Sequence, residues 1–139
     1  MNRSPPAITA ARRTAYEALR RTFEDDAWTD RAFASIAARG RLEGRELAQA
    51  RRLAYGATQR RGTSDHLVEQ LADRPATKLD PAALAALRLG VYELLFAAAV
   101  PDHAAVDQAV ELAKAGMRRD GAPAGRARAV AGLVNAVLR

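Results

Sequence analysis

The stretch from Leu79 to Pro101 constrains the fold most, because it predicts a long helix that is apolar on most of its circumference. Asp80 and Pro81 should open this helix, since an Asp carboxylate accepts hydrogen bonds from free first-turn amides and proline needs no partner there. Pro101 prevents its continuation. The helix is expected from Pro81 to about Ala98, roughly 27 Å long at 1.5 Å per residue. Such a helix belongs inside a bundle, so the other helices should pack around it.

The composition favours an all-α domain. Hydrophobic residues make up 49% of the 139 residues but aromatic residues only 5%, so the core must consist mainly of Ala, Leu and Val. No sustained alternating run of β-branched residues predicts a strand, and the length is that of one domain. We therefore predict a bundle of about seven helices over residues 9–139, preceded by a flexible lead-in over residues 1–8.

Local signals divide the rest of the chain into helices. Thr9 is expected to cap the first helix, and Trp28 to pack as a hydrophobic staple at the start of the second. Gly62 is expected to end the third helix and Gly116 the sixth, because glycine is common just beyond helix C-termini. Gly56, inside the third helix, predicts the close approach of a neighbouring helix, since glycine otherwise destabilises a helix interior.

Positive charge points to a polyanionic partner. The chain has 22 basic and 16 acidic residues, a net charge of +6, and nearly all of the basic residues are arginine. Guanidinium groups match phosphate oxygens in a bidentate manner, so a nucleic acid is the first partner to consider. The alternative is that these arginines only form solvated helix faces.

Two clusters of basic residues are candidate binding sites. The first helix carries Arg12, Arg13 and Arg20 with Glu17 as its one acid up to residue 21. The second cluster surrounds a Gly/Pro-containing loop and comprises Lys114, Arg118, Arg119, Arg126 and Arg128. Both clusters suit phosphate contact, although the arginines of the first helix could instead pair with Glu17 along the helix.

Several functional classes are excluded or disfavoured. The chain has no cysteine, which removes disulfides, thiolate metal sites and thiol nucleophiles. Ser64, Asp65 and His66 contain the letters of a catalytic triad, but consecutive helical residues point about 100° apart and cannot act as one. We predict no catalytic residues, cofactor or metal site. No apolar run has the length of a membrane span or signal peptide, so a cytoplasmic protein is expected.

Five segments carry a family resemblance over nearly the whole chain. They are, in order, AARRTAYEAL, LAYGATQRRGTSDHLVEQLADRP, LRLGVYELLF, VPDHAAVDQAVELAKAG and LVNAVLR. This series resembles the NusB family of RNA-binding helical domains. The second, fourth and fifth segments are most similar to the N-terminal domain of RsmB-type ribosomal RNA cytosine-C5 methyltransferases.

The resemblance implies a recognition domain that binds ribosomal RNA beside a C-terminal methyltransferase domain. Cytosine-C5 transfer needs a nucleophile, a cysteine in enzymes of this type, which this chain lacks. One alternative is a free-standing antitermination factor that binds leader RNA together with a ribosomal protein; another is a protein-interaction module. By resemblance, Arg12 is the best match to an RNA contact, with Arg13 beside it. Arg88 falls near the family's RNA face, although it could instead pair with a carboxylate.

Overall fold

Seven α-helices account for most of the residues that the computed structural model describes, 7–26 and 29–139. No strand occurs in these two ranges. The helices are α1 (Ala10–Glu24), α2 (Thr29–Arg39), α3 (Gly44–Gln59), α4 (Arg61–Ala72), α5 (Pro81–Phe96), α6 (Asp102–Arg119) and α7 (Ala124–Leu138), with a 3-10 turn at Ala76–Lys78. The predicted all-α bundle of about seven helices is confirmed. Most of the lead-in predicted over residues 1–8, namely residues 1–6, lies outside the described ranges. Trp28, with its predicted hydrophobic staple, lies outside them as well.

Helix α5 is the central element, as the apolar stretch predicts. It packs against α1, α3, α4, α6 and α7, and it buries Leu87 and Leu89 almost completely. Pro81 occupies its first turn. The prediction that the Asp80 side chain caps α5 is wrong. Its carboxylate makes no capping bond and instead accepts a hydrogen bond from Nη2 of Arg126 on α7 at 2.8 Å.

Thr9 caps α1 as predicted, since its Oγ1 accepts a hydrogen bond from the backbone amide of Arg12 at 3.3 Å. Two predicted helix ends are wrong. Gly62 lies in the first turn of α4 and does not end α3. Gly116 lies inside α6, which continues for three more residues. A glycine is needed there because the hydroxyl of Tyr16 occupies the space of a Cβ.

The close approach predicted at Gly56 is confirmed. The ring of Tyr92 on α5 lies against Gly56 of α3, and a Cβ at this position would clash with the ring. No helix in the described part of the chain has the length and apolar character needed to cross a membrane.

Candidate nucleic-acid interface

Arg12, the residue that the resemblance favours for RNA contact, lies in the interior. Its Nε and Nη2 donate to the two carboxylate oxygens of Glu93 on α5, both at 2.8 Å, and the Arg12 side chain is 9% exposed. The sequence gives no local sign of this pair, because its partners are 81 positions apart. The bidentate ion pair holds α1 against α5, and a phosphate contact by Arg12 would require the pair to open.

Helices α1 and α6 present a charged outer surface, which we call the α1–α6 face. It consists of two adjoining clefts that share Glu17 and Arg119. Its charged side chains are Arg13, Glu17, Arg20, Arg21, Glu24, Asp25, Arg119 and Asp120. Three of the predicted contact residues, Arg13, Arg20 and Arg119, therefore lie on one surface.

Carboxylates on the α1–α6 face already neutralise part of its positive charge. Arg20 donates to Glu24 from Nε and Nη2 at 2.7 and 2.8 Å, and to Asp120 at 3.2 and 2.8 Å. Its hydrogen bonds to Glu24 raise the pKa of the Arg20 guanidinium further above its usual range. Arg119 is looser: its side chain is 70% exposed and lies 3.4 Å from Glu17. Arg13 is exposed. The two exposed arginines are thus the more available cations.

Tyr16 forms the buried floor of this face. Its hydroxyl donates to the backbone carbonyl of Ala82 at 2.8 Å. Burial raises the pKa of the Tyr16 phenol above its usual value, so the group stays protonated. Tyr16 therefore connects α1 to the start of α5 and does not present its ring to a ligand.

Arg88 pairs with a carboxylate, which was the structural alternative at the sequence level. Its Nε and Nη2 donate to Asp65 on α4 at 2.8 and 2.9 Å. The guanidinium also lies 4.6 Å from the ring centroid of Phe23. With 10% of its side chain exposed, Arg88 joins α4 to α5. It lines a further cleft together with Arg20 and Glu24, next to the α1–α6 face.

The second predicted cluster is divided among several sites. Lys114 is half-buried and pairs with Glu111 at 2.8 Å, whereas Arg118 is exposed in the last turn of α6. Arg126 pairs with Asp80, and Arg128 is exposed on α7. Of the second cluster, only Arg119 lines the two clefts of the α1–α6 face.

The sequence interpretation missed two cations beside Arg126. Arg74 and Lys78 line the same cleft between the α4–α5 connection and α7. Their sequence signal was their position on either side of Pro75. It did not indicate that they lie beside Arg126, which is some fifty positions away. The RNA-contact assignments of all nine predicted residues remain predictions.

Asp65 and His66, two letters of the triad-like sequence, each contact another side chain. Asp65 is engaged with Arg88, and His66 lies 3.2 Å from the amide of Gln70. No group of three or more His, Asp or Glu side chains in the described ranges is placed to hold a metal ion.

The fold and the outer surface define a class of protein: an all-α domain built on one buried helix, with arginines on its outer helix faces. A family model for the NusB family matches residues 9–139. The chain belongs to the NusB family.

Relatives of two kinds are similar to this chain. A Mycobacterium tuberculosis protein named as a methyltransferase is 39% identical over 132 residues, which cover 95% of this chain and 27% of the relative. A ribosomal RNA small subunit methyltransferase B from Synechocystis is 37% identical over 108 residues, covering 78% of this chain and 24% of the relative. The transcription antitermination protein NusB of Shewanella amazonensis is 39% identical over 80 residues, 58% of this chain and 60% of the relative. The chain spans about a quarter of the length of the methyltransferase relatives.

Solved structures share the fold. A complex of the antitermination factors NusB and NusE with double-stranded RNA has a TM-score of 0.76 at 22% identity, covering 92% of both chains. Thermotoga maritima NusB has a TM-score of 0.73 at 21% identity, covering 95% of this chain and 92% of the other.

Proposed function

We propose that this chain is an RNA-binding domain that serves as the recognition part of a small-subunit ribosomal RNA cytosine-C5 methyltransferase and acts in the cytoplasm. The observation that carries the proposal is the match of 95% of this chain to 27% of a methyltransferase relative. This proportion is what a domain shared with a longer enzyme produces. Methyl transfer itself would belong to the remaining part of such an enzyme, since this chain has no cysteine to act as nucleophile.

The α1–α6 face is the proposed RNA contact. Arg13 and Arg119 are exposed, and Nη1 of Arg119 lies 3.4 Å from the carboxylate of Glu17, a long distance for an ion pair. Phosphate oxygens accept bidentate hydrogen bonds from guanidinium groups, and two or three such contacts give sequence-independent affinity. Arg12 contributes indirectly, by fixing the start of α1 through Glu93.

A free-standing antitermination factor is the second candidate. The chain covers 60% of the Shewanella antitermination protein but only 27% of the Mycobacterium methyltransferase. Such a factor would bind a leader RNA together with a ribosomal protein, whereas a recognition domain would prefer ribosomal RNA fragments on its own.

Titration of the chain with labelled small-subunit ribosomal RNA fragments and with a leader RNA tests the proposal. The double variant Arg13→Ala/Arg119→Ala should bind ribosomal RNA more weakly. Its plot of log affinity against log salt should be shallower by roughly 1.4, about 0.7 per lost phosphate contact on a single strand.

The matched control is Arg39→Ala/Arg45→Ala, which removes two exposed arginines near the α2–α3 turn and changes the net charge equally. Its salt dependence should equal that of the wild type. An unchanged slope in a folded Arg13/Arg119 variant would contradict the proposed contact surface. Binding of leader RNA only in the presence of a ribosomal protein would favour the antitermination factor.

A further inference from the structure

A second surface, formed where α3 packs against α5, combines aromatic rings with arginines. Arg52 of α3 and Tyr92 and Phe96 of α5 line a cleft of about 270 Å³, together with the connection over residues 97–100. Arg60, the residue that follows α3, lies over the ring of Phe96. We call these four residues and their cleft the α3–α5 surface. None of the nine residues predicted from the sequence to contact RNA lines it.

Glycine makes this arrangement possible. Arg52 and Gly56 are spaced four residues apart on one face of α3, and Arg60 follows four residues later at its C-terminal cap. The ring of Tyr92 lies against Gly56. One turn later, the Phe96 ring centroid is 5.9 Å from that of Tyr92, and the guanidinium of Arg60 lies 4.4 Å from the Phe96 centroid. A planar cation is therefore stacked on an aromatic ring at the rim of an open cleft.

The charge of this surface differs from that of the α1–α6 face. The residues that line the cleft include Arg52 and no carboxylate, and Arg60 adds a second cation beside Phe96. Within the described ranges, neither Arg52 nor Arg60 lies in an ion pair with an acidic side chain, whereas Arg20 and Arg119 both do. Phe96 is 39% exposed, which is uncommon for a large aromatic side chain in a monomeric domain. The surface thus offers uncompensated positive charge next to a flat apolar group.

We propose that the α3–α5 surface binds an unpaired base of single-stranded RNA. The base stacks on the Arg60–Phe96 pair, and Arg52 contacts a neighbouring phosphate. Interleaved arginines and aromatic rings without acids are the chemistry that favours exposed bases over an apolar protein segment, since every base has a π-face and every nucleotide carries a phosphate. The inference rests on the proposed RNA binding and adds to it a site for unstacked nucleotides.

Substitution of Phe96 tests the stacking. Phe96→Leu keeps the apolar volume but removes the ring, and it should weaken binding of a labelled uridine-rich single-stranded RNA by roughly fivefold or more, as expected for the loss of one base stack. The salt slope should stay unchanged, because no ionic contact is lost. Phe96→Tyr should bind like the wild type. The control Leu95→Ala alters the neighbouring exposed apolar residue and should also leave the affinity unchanged.

A cross-linking measurement does not depend on the variants' folding. Single-stranded RNA with 5-iodouridine should cross-link, in the wild-type chain, to the tryptic peptide 89–114, which contains both Tyr92 and Phe96. The wild type should bind RNA with abasic sites more weakly than the same RNA with its bases. Phe96→Leu should bind the two RNAs equally well, because it has already lost the stacking contact.

The outcomes separate the two proposals. If the wild type binds no RNA, the proposed function fails and this inference fails with it. If the wild type binds RNA while Phe96→Leu binds equally well and peptide 89–114 is not cross-linked, only the stacking site is overturned. Self-association that Phe96→Leu abolishes, with unchanged RNA affinity, would reassign the surface to a protein contact and likewise overturn the site.

Discussion

Single residues show most clearly that an arginine's environment, and not its position in a motif, decides what it does. Arg12 and Arg13 are neighbours in the first turn of α1, yet Arg12 is buried against Glu93 and Arg13 is exposed. A helix turns about 100° per residue, so adjacent side chains point to different surroundings. Arg12 lies on the buried side of α1 with Ala15 and Tyr16, and Glu93 on α5 supplies the carboxylate that pairs with it there.

Arg12→Ala should destabilise the fold. It leaves Glu93, whose side chain is 1% exposed, without its partner, and breaking a buried pair from one side costs about 3–5 kcal/mol. The double variant Arg12→Met/Glu93→Met removes both charges and should recover most of that loss. Urea unfolding of the three proteins measures the difference; equal stability of the single and double variants would contradict a buried pair.

Tyr16 should make the protein lose stability at alkaline pH. Burial raises its pKa above the unfolded value, so the folded state holds the proton more tightly. The contribution is present below about pH 10 and decreases as the pH rises above it, because the unfolded state then ionises first.

Tyr16→Phe removes this ionisation. Its free energy of unfolding should be lower by about 1 kcal/mol at neutral pH, since the carbonyl of Ala82 loses its donor, and should fall less steeply between about pH 10 and 12. Unfolding measured across this range decides the point; identical alkaline slopes in both proteins would exclude Tyr16 as the cause.

Helices come together in this molecule at glycines that accept an aromatic side chain. Gly56 on α3 accepts the ring of Tyr92, and Gly116 on α6 accepts the hydroxyl of Tyr16. In both cases a methyl group on the glycine would occupy the space of the aromatic side chain. The two tyrosines therefore connect α5 to α3 and α1 to α6, respectively, without a gap.

Gly56→Ala should destabilise the bundle even though alanine is the better helix former. The added methyl group clashes with Tyr92, and overpacking of this kind costs about 1–3 kcal/mol. Gly62→Ala is the matched control, because Gly62 is also helical but nothing lies within 4 Å of its Cβ position.

We expect Gly62→Ala to raise stability by about 0.4–1 kcal/mol, through the lower conformational entropy of the unfolded chain. Thermal unfolding of both variants should thus shift in opposite directions. Shifts of the same sign would mean that Tyr92 moves aside without cost.

The sequence predicts helices better than it predicts their ends and partners. Helix α5 was predictable because Pro81, Pro101 and a nearly continuous apolar run define it locally. Gly116 was interpreted as a helix end because its contact with Tyr16 has no local signal. Gly62 was interpreted in the same way because a glycine in the first turn of a helix resembles, locally, one just beyond a helix end. The pairs of Arg12 with Glu93 and of Arg88 with Asp65 could not be predicted either, since each depends on how α5 packs against another helix.

At the scale of the whole molecule, an excess of six positive charges is distributed unevenly over the surface. Acidic side chains accompany the arginines of the α1–α6 face, whereas the α3–α5 surface has none in its lining. An RNA strand that binds the α1–α6 face must compete with the protein's own carboxylates for the arginine side chains. Net charge therefore favours association, and the local pairs determine which arginines take part.

Glu17→Gln should strengthen RNA binding because it frees Arg119. Exposed ion pairs contribute about 0.2–1 kcal/mol, so the gain should be roughly two- to fivefold. Glu43→Gln is the control: it changes the net charge equally but lies at the start of α3, where its side chain makes no capping bond. Fluorescence anisotropy with ribosomal RNA fragments compares the two; an equal gain in both would attribute the effect to net charge alone.

One residue, Arg60, separates α3 from α4, and the next residue, Arg61, contacts a further helix at this corner. Arg60 stacks on Phe96 of α5, while Arg61 lies 5.0 Å from the ring centroid of Phe23 on α1. An inserted residue here would rotate α4 by about 100° relative to α3 and separate at least one guanidinium from its ring. We therefore expect evolution to tolerate length variation in the connection between α6 and α7 but not at this corner.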